Sequence, residues 1–363
     1  MKTYHDITGD GGSDVLGQVA ALHRTIEDAL AGVRTILAVG SGKGGVGKST
    51  LTMALARALR RLPHAESGPG GGGLRVAILD ADLNGPTQAR LAGLEGAPLV
   101  PLEPPAEHDG EPAGRRSGDD PETKGTGSPP APGAPAPAAG RLALPRRPDG
   151  IGVVSLGSVL SGDRPLTFQT VSRGEEQTWR ATREFALLAQ LLGAVDWGAL
   201  DVLLLDLPPG AERTVQYADF LAPLAAGGSG PGRADGVGRV AFLLVTVPSD
   251  VSRGVVARSV TALGERLAPG AGPDGGVDPP RGRLLGYVEN MAGYWCRECG
   301  EVRPLFPAST VSLDAPCLGR LPFDPALAVL CDRGWPEGSP VEAESEAFRG
   351  VEAVAARLLE ELS

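Results

Sequence analysis

The chain has 363 residues, 42% of them hydrophobic, enough to bury one sizeable core and, by length alone, as many as two domains. Its 34 Lys and Arg against 44 Asp and Glu give a formal net charge of -10, which excludes a global basic field for nucleic acid or anionic lipid. No apolar run approaches a membrane span, and Met1-Lys2-Thr3-Tyr4-His5-Asp6 leads into acidic and glycine residues, so the expectation is a cytoplasmic protein with neither a membrane nor a nucleic-acid partner.

Taken in chain order, residues 13–32 carry apolar positions at helical spacing between Ser13 as N-cap and Gly32 as stop, and predict a leading helix within residues 1–33. Residues 34–363 read as one further domain. Its first strand, at 34–40, contains Ile36-Leu37-Ala38-Val39 and runs into Gly40-Ser41-Gly42-Lys43-Gly44-Gly45-Val46-Gly47-Lys48-Ser49-Thr50, after which Leu51 to Leu59 form a helix. From Gly42 this stretch fits G-x-x-x-x-G-K-S/T in the strand–loop–helix context that gives the pattern meaning. Glycines at 42, 44, 45 and 47 let the backbone wrap a polyphosphate with its N–H groups, and the helix starting near Lys48 aims its positive end at the same charge. Lys48 is then placed to neutralise β- and γ-phosphates and the Ser49 hydroxyl to ligate Mg²⁺, with Gly42 to Thr50 as the ATP-binding loop.

A second strand at 74–80 ends in Asp80-Ala81-Asp82-Leu83-Asn84-Gly85-Pro86-Thr87. Acids past a strand end beside such a loop can order a Mg²⁺-bound water or polarise an attacking one. Composition then shifts to Pro, Gly and Ala over about 97–149, a stretch too poor in apolar surface to offset its ordering entropy, and it reads as a disordered insertion in a surface loop. Order resumes with a strand at 151–156, a helix at about 175–193 and a strand at 200–206 that closes in Asp206-Leu207-Pro208-Pro209-Gly210. Apolar residues ending in an acid suit a carboxylate that holds Mg²⁺ through water. A strand at 239–247, a helix at 251–267, strands at 284–290 and 317–321 and a last helix at about 343–362 complete the series. That helix carries Phe348, Val351, Ala355, Leu358, Leu359 and Leu362 on one stripe, and the accompanying Glu342, Glu344, Glu346, Glu352, Glu360 and Glu361 argue against an anionic bilayer. Strands alternating with helices predict an α/β fold, a parallel sheet with helices on both faces and a ligand at the carboxyl ends of the strands.

Four cysteines in so long a chain do not make a disulfide framework. Cys296 and Cys299 form Cys-x-x-Cys just past Asn290, and two thiolates at that spacing can share one metal. Two ligands do not close a site. A symmetric dimer supplies four, which suits a bridging 4Fe-4S cluster and equally a Cys₄ zinc. Cys317 and Cys331 offer an intramolecular zinc alternative, against which Cys317 begins a strand and Cys331 lies in helix-like sequence, where a small buried cysteine is the usual explanation. The histidines at 5, 23, 64 and 108 fall outside every motif and read as surface residues.

The second lysine of the loop, Lys43, makes Gly42 to Thr50 resemble the deviant Walker A signature of the ATPases that include ParA, MinD and the Mrp/ApbC iron–sulfur carriers. Val195-Asp196-Trp197-Gly198-Ala199-Leu200-Asp201 with Asp206 to Gly210 is similar to the Mrp/ApbC pattern V-D-W-G-x-L-D-x-x-x-x-D-x-P-P-G, and Asp80 to Thr87 to its D-A-D-x-x-G-P-S switch I. Asn290 to Gly300 is similar to N-M-S/A-x-x-x-C-P-x-C-G, with Arg297 at the usual proline. The resemblance covers roughly 34–340 less the insertion. It implies an ATP hydrolase whose Lys43 reaches a partner's nucleotide across a homodimer, whose Asp82 activates water, whose Asp80 is metal-linked and whose Asn290 reads adenine. It implies a labile 4Fe-4S cluster, held by Cys296 and Cys299 and passed to apoprotein clients. Where the family continues T-G-D this chain has Ala211-Glu212-Arg213, which implies altered switching or hydrolysis more than altered nucleotide binding. A ParA/MinD-like positioning switch and a nucleotide-binding regulator with little turnover are the alternatives, and only the carrier requires the thiols.

Overall fold

The computed structural model describes residues 15–63, 72–102, 141–158, 176–226, 239–269, 281–296 and 298–362. In chain order the elements are α1 (Val15–Ala29), β1 (Val33–Ser41), α2 (Lys48–Arg61), β2 (Val76–Asp80), α3 (Gln88–Ala92), β3 (Leu142–Ala143), β4 (Gly152–Val154), α4 (Glu176–Ala194), β5 (Val195–Asp196) and β6 (Leu200–Asp206). They continue as α5 (Ala211–Ala226), β7 (Val240–Thr246), α6 (Asp250–Leu267), β8 (Arg283–Glu289), β9 (Tyr294–Cys296), β10 (Glu301–Arg303), β11 (Cys317–Arg320), α7 (Pro325–Asp332), α8 (Pro340–Glu344) and α9 (Glu346–Leu362).

Seven strands form one sheet in the order β11-β8-β7-β1-β6-β2-β4, parallel at every pairing. Side chains alternate across a strand, so continuous apolar runs feed two cores at once. Leu37 and Val39 of β1, Val202 and Leu204 of β6 and Leu243 and Val245 of β7 join α2, α7 and α9 on one face. Ile36 and Ala38, Leu203 and Leu205, and Phe242 and Leu244 join α1, α4, α5 and α6 on the other. The expected parallel sheet with helices on both faces is what the chain builds, and every strand of it ends at the edge where the glycine loop lies.

Several local readings need correction. The insertion expected at 97–149 has structured ends: Leu102 N donates to Arg141 O at 2.7 Å, Ala143 N to Val100 O at 2.7 Å, and β3 pairs with β5. Residues 103–140 lie outside the described residues. Composition hides the ends because polar groups tie them down from far along the chain. Buried Arg147 donates to Ala92 O at 2.6 Å and Trp335 O at 2.7 Å, and Asp149 pairs with Arg57 at 2.8 Å. The last helix begins at Glu346 rather than 343, because the Ser345 hydroxyl accepts the Phe348 amide at 3.2 Å and starts a new helix after α8. Glu342 is not on a solvated face: it is buried and accepts from Arg57, Arg61 and the Trp335 indole. Helix α5 was absent from the sequence reading, since its start coincides with the switch motif.

The Glu342 network joins α2, the base of the insertion and the C-terminal helices. Removing one member of a buried ion pair leaves its partner desolvated, and when Glu342 is gone Arg57 keeps one carboxylate, Asp149, beside the Pro336 carbonyl and the Trp335 ring. Glu342→Ala should lower the unfolding free energy by about 3 kcal/mol, read as a fall in the urea midpoint with the slope unchanged.

Candidate functional site

The glycine loop leaves β1 and enters α2 through Gly47, whose φ of 80° is left-handed. A Cβ there would also stand 2.3 Å from Asn290 Nδ2, so only glycine admits the approach of Asn290, whose amide donates to Val46 O at 2.9 Å. Gly45 is likewise left-handed at 79°, Gly44 and Gly45 are exposed, and Gly42, Ser49 and Thr50 are half-buried. Lys43 is half-buried, its carbonyl accepts the Ser41 hydroxyl at 3.1 Å, and among the described residues its ammonium pairs with no carboxylate.

The first residue of α2, Lys48, is buried, and its ammonium pairs with Asp206 at the end of β6 while donating to Ser49 Oγ at 3.2 Å. Asp206 Oδ1 also accepts from Thr52 Oγ1 at 3.3 Å, and its Oδ2 from Gln88 Nε2 at 2.8 Å. Beside it, Asp80 is its register partner on β2. Asp80 Oδ2 accepts from the amides of Thr87 and Gln88 and from Ser155 Oγ, each at 2.9 Å. Burial, then the Asp206 charge beside it, push the Asp80 carboxyl up to about 7 despite those donors. Asp82 lies one turn further, half-buried. Burial raises its carboxyl above the ordinary range, with Lys48 pulling the other way.

Ser49, Asp80 and Asp206 therefore converge around the Lys48 ammonium, which among the described residues is the cation paired with Asp206. Two buried acids side by side, an adjacent hydroxyl and a Gln88 Oε1 with no hydrogen-bond partner among the described residues make an all-oxygen donor set of the hard kind that Mg²⁺ takes. The residues fit the ion. Gln88, Thr52 and Ser155 escaped the sequence reading. Gln88 had a signal, a polar residue opening a helix directly after switch I, whereas Ser155 reaches Asp80 only because β4 happens to flank β2.

From β8 the same chain passes through Asn290, whose amide N donates to Thr246 O at 2.8 Å, to Met291 at φ 53°. A left-handed methionine is strained, and its side chain is held against the α2 face of the core. The β9–β10 hairpin follows, hung on the chain after β11 by Trp295 N to Phe323 O at 3.0 Å and Phe323 N to Gly293 O at 2.6 Å. Cys296 ends β9 half-buried and Cys299 sits exposed in the turn. Hydrogen bonds from Cys296 and the Glu301 amide, then Arg303 at 3.7 Å, lower the Cys299 thiol below its ordinary value. Cys331 is buried in α7 and its thiol is pushed up to about 11 by burial, whereas Cys317 is exposed at the start of β11, so the small-buried-cysteine explanation holds for one of the two. Among the described residues no three His, Cys, Asp or Glu side chains gather as a metal site, and no helix is long and apolar enough to cross a membrane. His23 is half-buried, and the other three histidines lie outside the described residues.

Residues 32–359 match the family described as ParA: NUBPL iron-transfer P-loop NTPase. A Drosophila pseudoobscura pseudoobscura protein named cytosolic Fe-S cluster assembly factor Nubp1 homolog is 28% identical over 332 residues, covering 89% of this chain and 81% of its own. The Aspergillus fumigatus cytosolic Fe-S cluster assembly factor cfd1 is 32% identical over 298 residues, 80% of this chain and 74% of that one. Among solved structures, a nucleotide-binding protein from Archaeoglobus fulgidus in complex with ADP is similar at a TM-score of 0.55 and 23% identity, over 90% of this chain and 95% of that one, a likeness of fold.

The Gly47–Asn290 approach gives a direct check on the site. Gly47→Ala imposes a left-handed alanine and a collision with Asn290, and should reduce ATP affinity by about 100-fold, measured by titration calorimetry, while the thermal midpoint shifts little.

Proposed function

The chain belongs to the ParA/NUBPL family of iron-transfer P-loop NTPases, and from that premise we propose that it is an ATP-hydrolysing carrier that receives a labile 4Fe-4S cluster as cargo and passes it to apoproteins. The observation that carries this reading is the short stretch of chain that touches the glycine loop at Asn290 and reaches the thiols within ten residues. Asn290 touches Val46, Met291 is held left-handed, and the hairpin that follows presents Cys296 and exposed Cys299. The names of the relatives, which are cytosolic Fe-S cluster assembly factors, support both the cargo and a cytosolic location.

In this reading the amides of Gly42 to Thr50 take the phosphates and Lys48 exchanges Asp206 for them. That exchange frees the Asp206 carboxylate, which with Ser49 and Asp80 would hold Mg²⁺. Bound there, the ion would supply positive charge against that of the phosphates. Asp82, its carboxyl raised by burial, accepts the proton as water attacks the γ-phosphorus and the bond to the bridging oxygen breaks. Asn290 keeps its carbonyl oxygen and second amide hydrogen for the adenine edge. Lys43, with no carboxylate partner among the described residues, is free to reach the nucleotide of a second copy. The same symmetry supplies the missing ligands, since two thiols per chain close a four-thiolate site only as a pair.

Lys48→Ala should abolish ATP binding by titration calorimetry, because the loop has no other fixed cation at the phosphates. Lys43→Ala should retain binding within about threefold and lose ATP-dependent dimerisation, because a charge that acts across the interface contributes little to the isolated site. An undiminished affinity in the first, or an unchanged oligomeric state in the second, removes the corresponding role. Anaerobic reconstitution checks the cargo site: Cys296→Ala or Cys299→Ala should each remove the cluster, read from visible absorbance with iron and sulfide analysis, while Cys317→Ala and Cys331→Ala leave it. One zinc per monomer, lost with any of the four, would point instead to a structural metal.

A further inference from the structure

Helix α4 contributes a residue that none of the phosphate, metal or thiol motifs contains. Glu184 is buried, and a buried carboxylate is stable only when its oxygens are matched by donors. Here each oxygen has one, and they come from two different loops. Oε1 accepts Asn84 Nδ2 at 2.5 Å, and Oε2 pairs with the Arg213 guanidinium. Asn84 belongs to the turn that Gly85 N closes on Asp82, at 3.2 Å to its carbonyl and 3.3 Å to its carboxylate. Arg213 belongs to the first turn of α5, three residues past Gly210, whose own amide donates to Ser41 O at 2.9 Å.

Arg213 is fixed on its other sides as well. It donates to Gln216 Oε1 at 2.9 Å, and its guanidinium carbon lies 5.4 Å from the Phe185 ring centre and 5.7 Å from that of Tyr217. Those rings are themselves 4.9 Å apart. Tyr217 adds a second tie between the same two regions, its hydroxyl donating to Ala81 O at 2.9 Å. Burial holds that phenol protonated, and so a donor, far above neutral pH. A carboxylate shared by two loops, with an aromatic bed under the cation, is a mechanical joint between them.

We propose that Glu184 is a positioning residue that joins the Asp82 loop to the Asp206–Arg213 loop, so that the two loops beside the Lys48–Asp206 pair move as one unit. Arg213 is the half of this joint on the second loop. The kinetic part of this inference rests on the ATPase reading above; the structural part does not.

The test is hydrogen–deuterium exchange on the full chain without nucleotide, followed by ATP binding and turnover. Glu184→Ala should raise exchange about fivefold or more both at 82–87 and at 210–214, since each loop loses its shared anchor. Glu184→Gln keeps an acceptor for Asn84 but not the charge for Arg213, so it should loosen 210–214 alone. Asn84→Ala should loosen 82–87 alone, which keeps the proposal testable should Glu184→Ala fold poorly. In turnover, Glu184→Ala should lower kcat about tenfold, as expected for a displaced catalytic group, with the ATP Kd within about twofold of the parent, and Glu184→Gln should recover part of the rate. Exchange that stays at the parental level at either loop in Glu184→Ala overturns the joint. So does an unchanged kcat, or a loss of ATP affinity equal to the loss of rate. A parent that binds ATP but never hydrolyses it would refute the ATPase reading and leave the exchange experiment to decide the joint.

Discussion

A lysine buried against an aspartate holds the centre of this molecule together. Lys48 begins α2 and Asp206 ends β6, the strand next to the one that feeds the glycine loop, so their contact fixes where the helix stands over the sheet. Neither charge is stable alone at that depth. Ser49, Thr52 and Gln88 complete the arrangement from the helix and from the far side of the Asp82 loop, and Asp80 is forced up against it by the strand register. The site is therefore electrostatically overcrowded with acid. A polyanion that takes the lysine and a divalent ion that takes the acids relieve it together.

The parts readable from the sequence are those with local causes. β1, β6 and β7 are continuous apolar runs because both faces of the sheet are covered, and that run length with intervening helices was enough to predict the architecture. The glycine loop was legible because its glycines and Lys48 serve one another within a few residues. The roles of Gln88, Ser155 and Glu184 were not, since each depends on which strand lies beside which. Glu342 was misread for the same reason. Its partners Arg57 and Arg61 are on a helix near the other end of the chain, and nothing in the surrounding acidic sequence separates a buried glutamate from a solvated one.

The path from nucleotide loop to thiols is short and unusually constrained. Val46 is held by Asn290, Asn290 is held to β7, Met291 carries a strained backbone, and the hairpin is stitched to the segment after β11. A left-handed methionine persists only where its surroundings overdetermine it. By linkage, a ligand at the thiols that altered nucleotide affinity would have its own affinity altered by nucleotide to the same extent.

The zipped ends of the insertion carry a different consequence. Residues 100–102 and 141–143 are hydrogen-bonded across from one another, so the chain leaves the fold and returns to it at one point. For a flexible loop closed at joined ends, each doubling of its length costs only about 0.6 kcal/mol. In evolutionary terms, a base joined in this way holds the exit and the return of the chain together whatever length it encloses. Its base is also bracketed by Arg147 to Ala92, the last residue of the short helix that opens with Gln88. A sequence acquired there would enter the protein already attached beside the buried pair of Asp80 and Asp206.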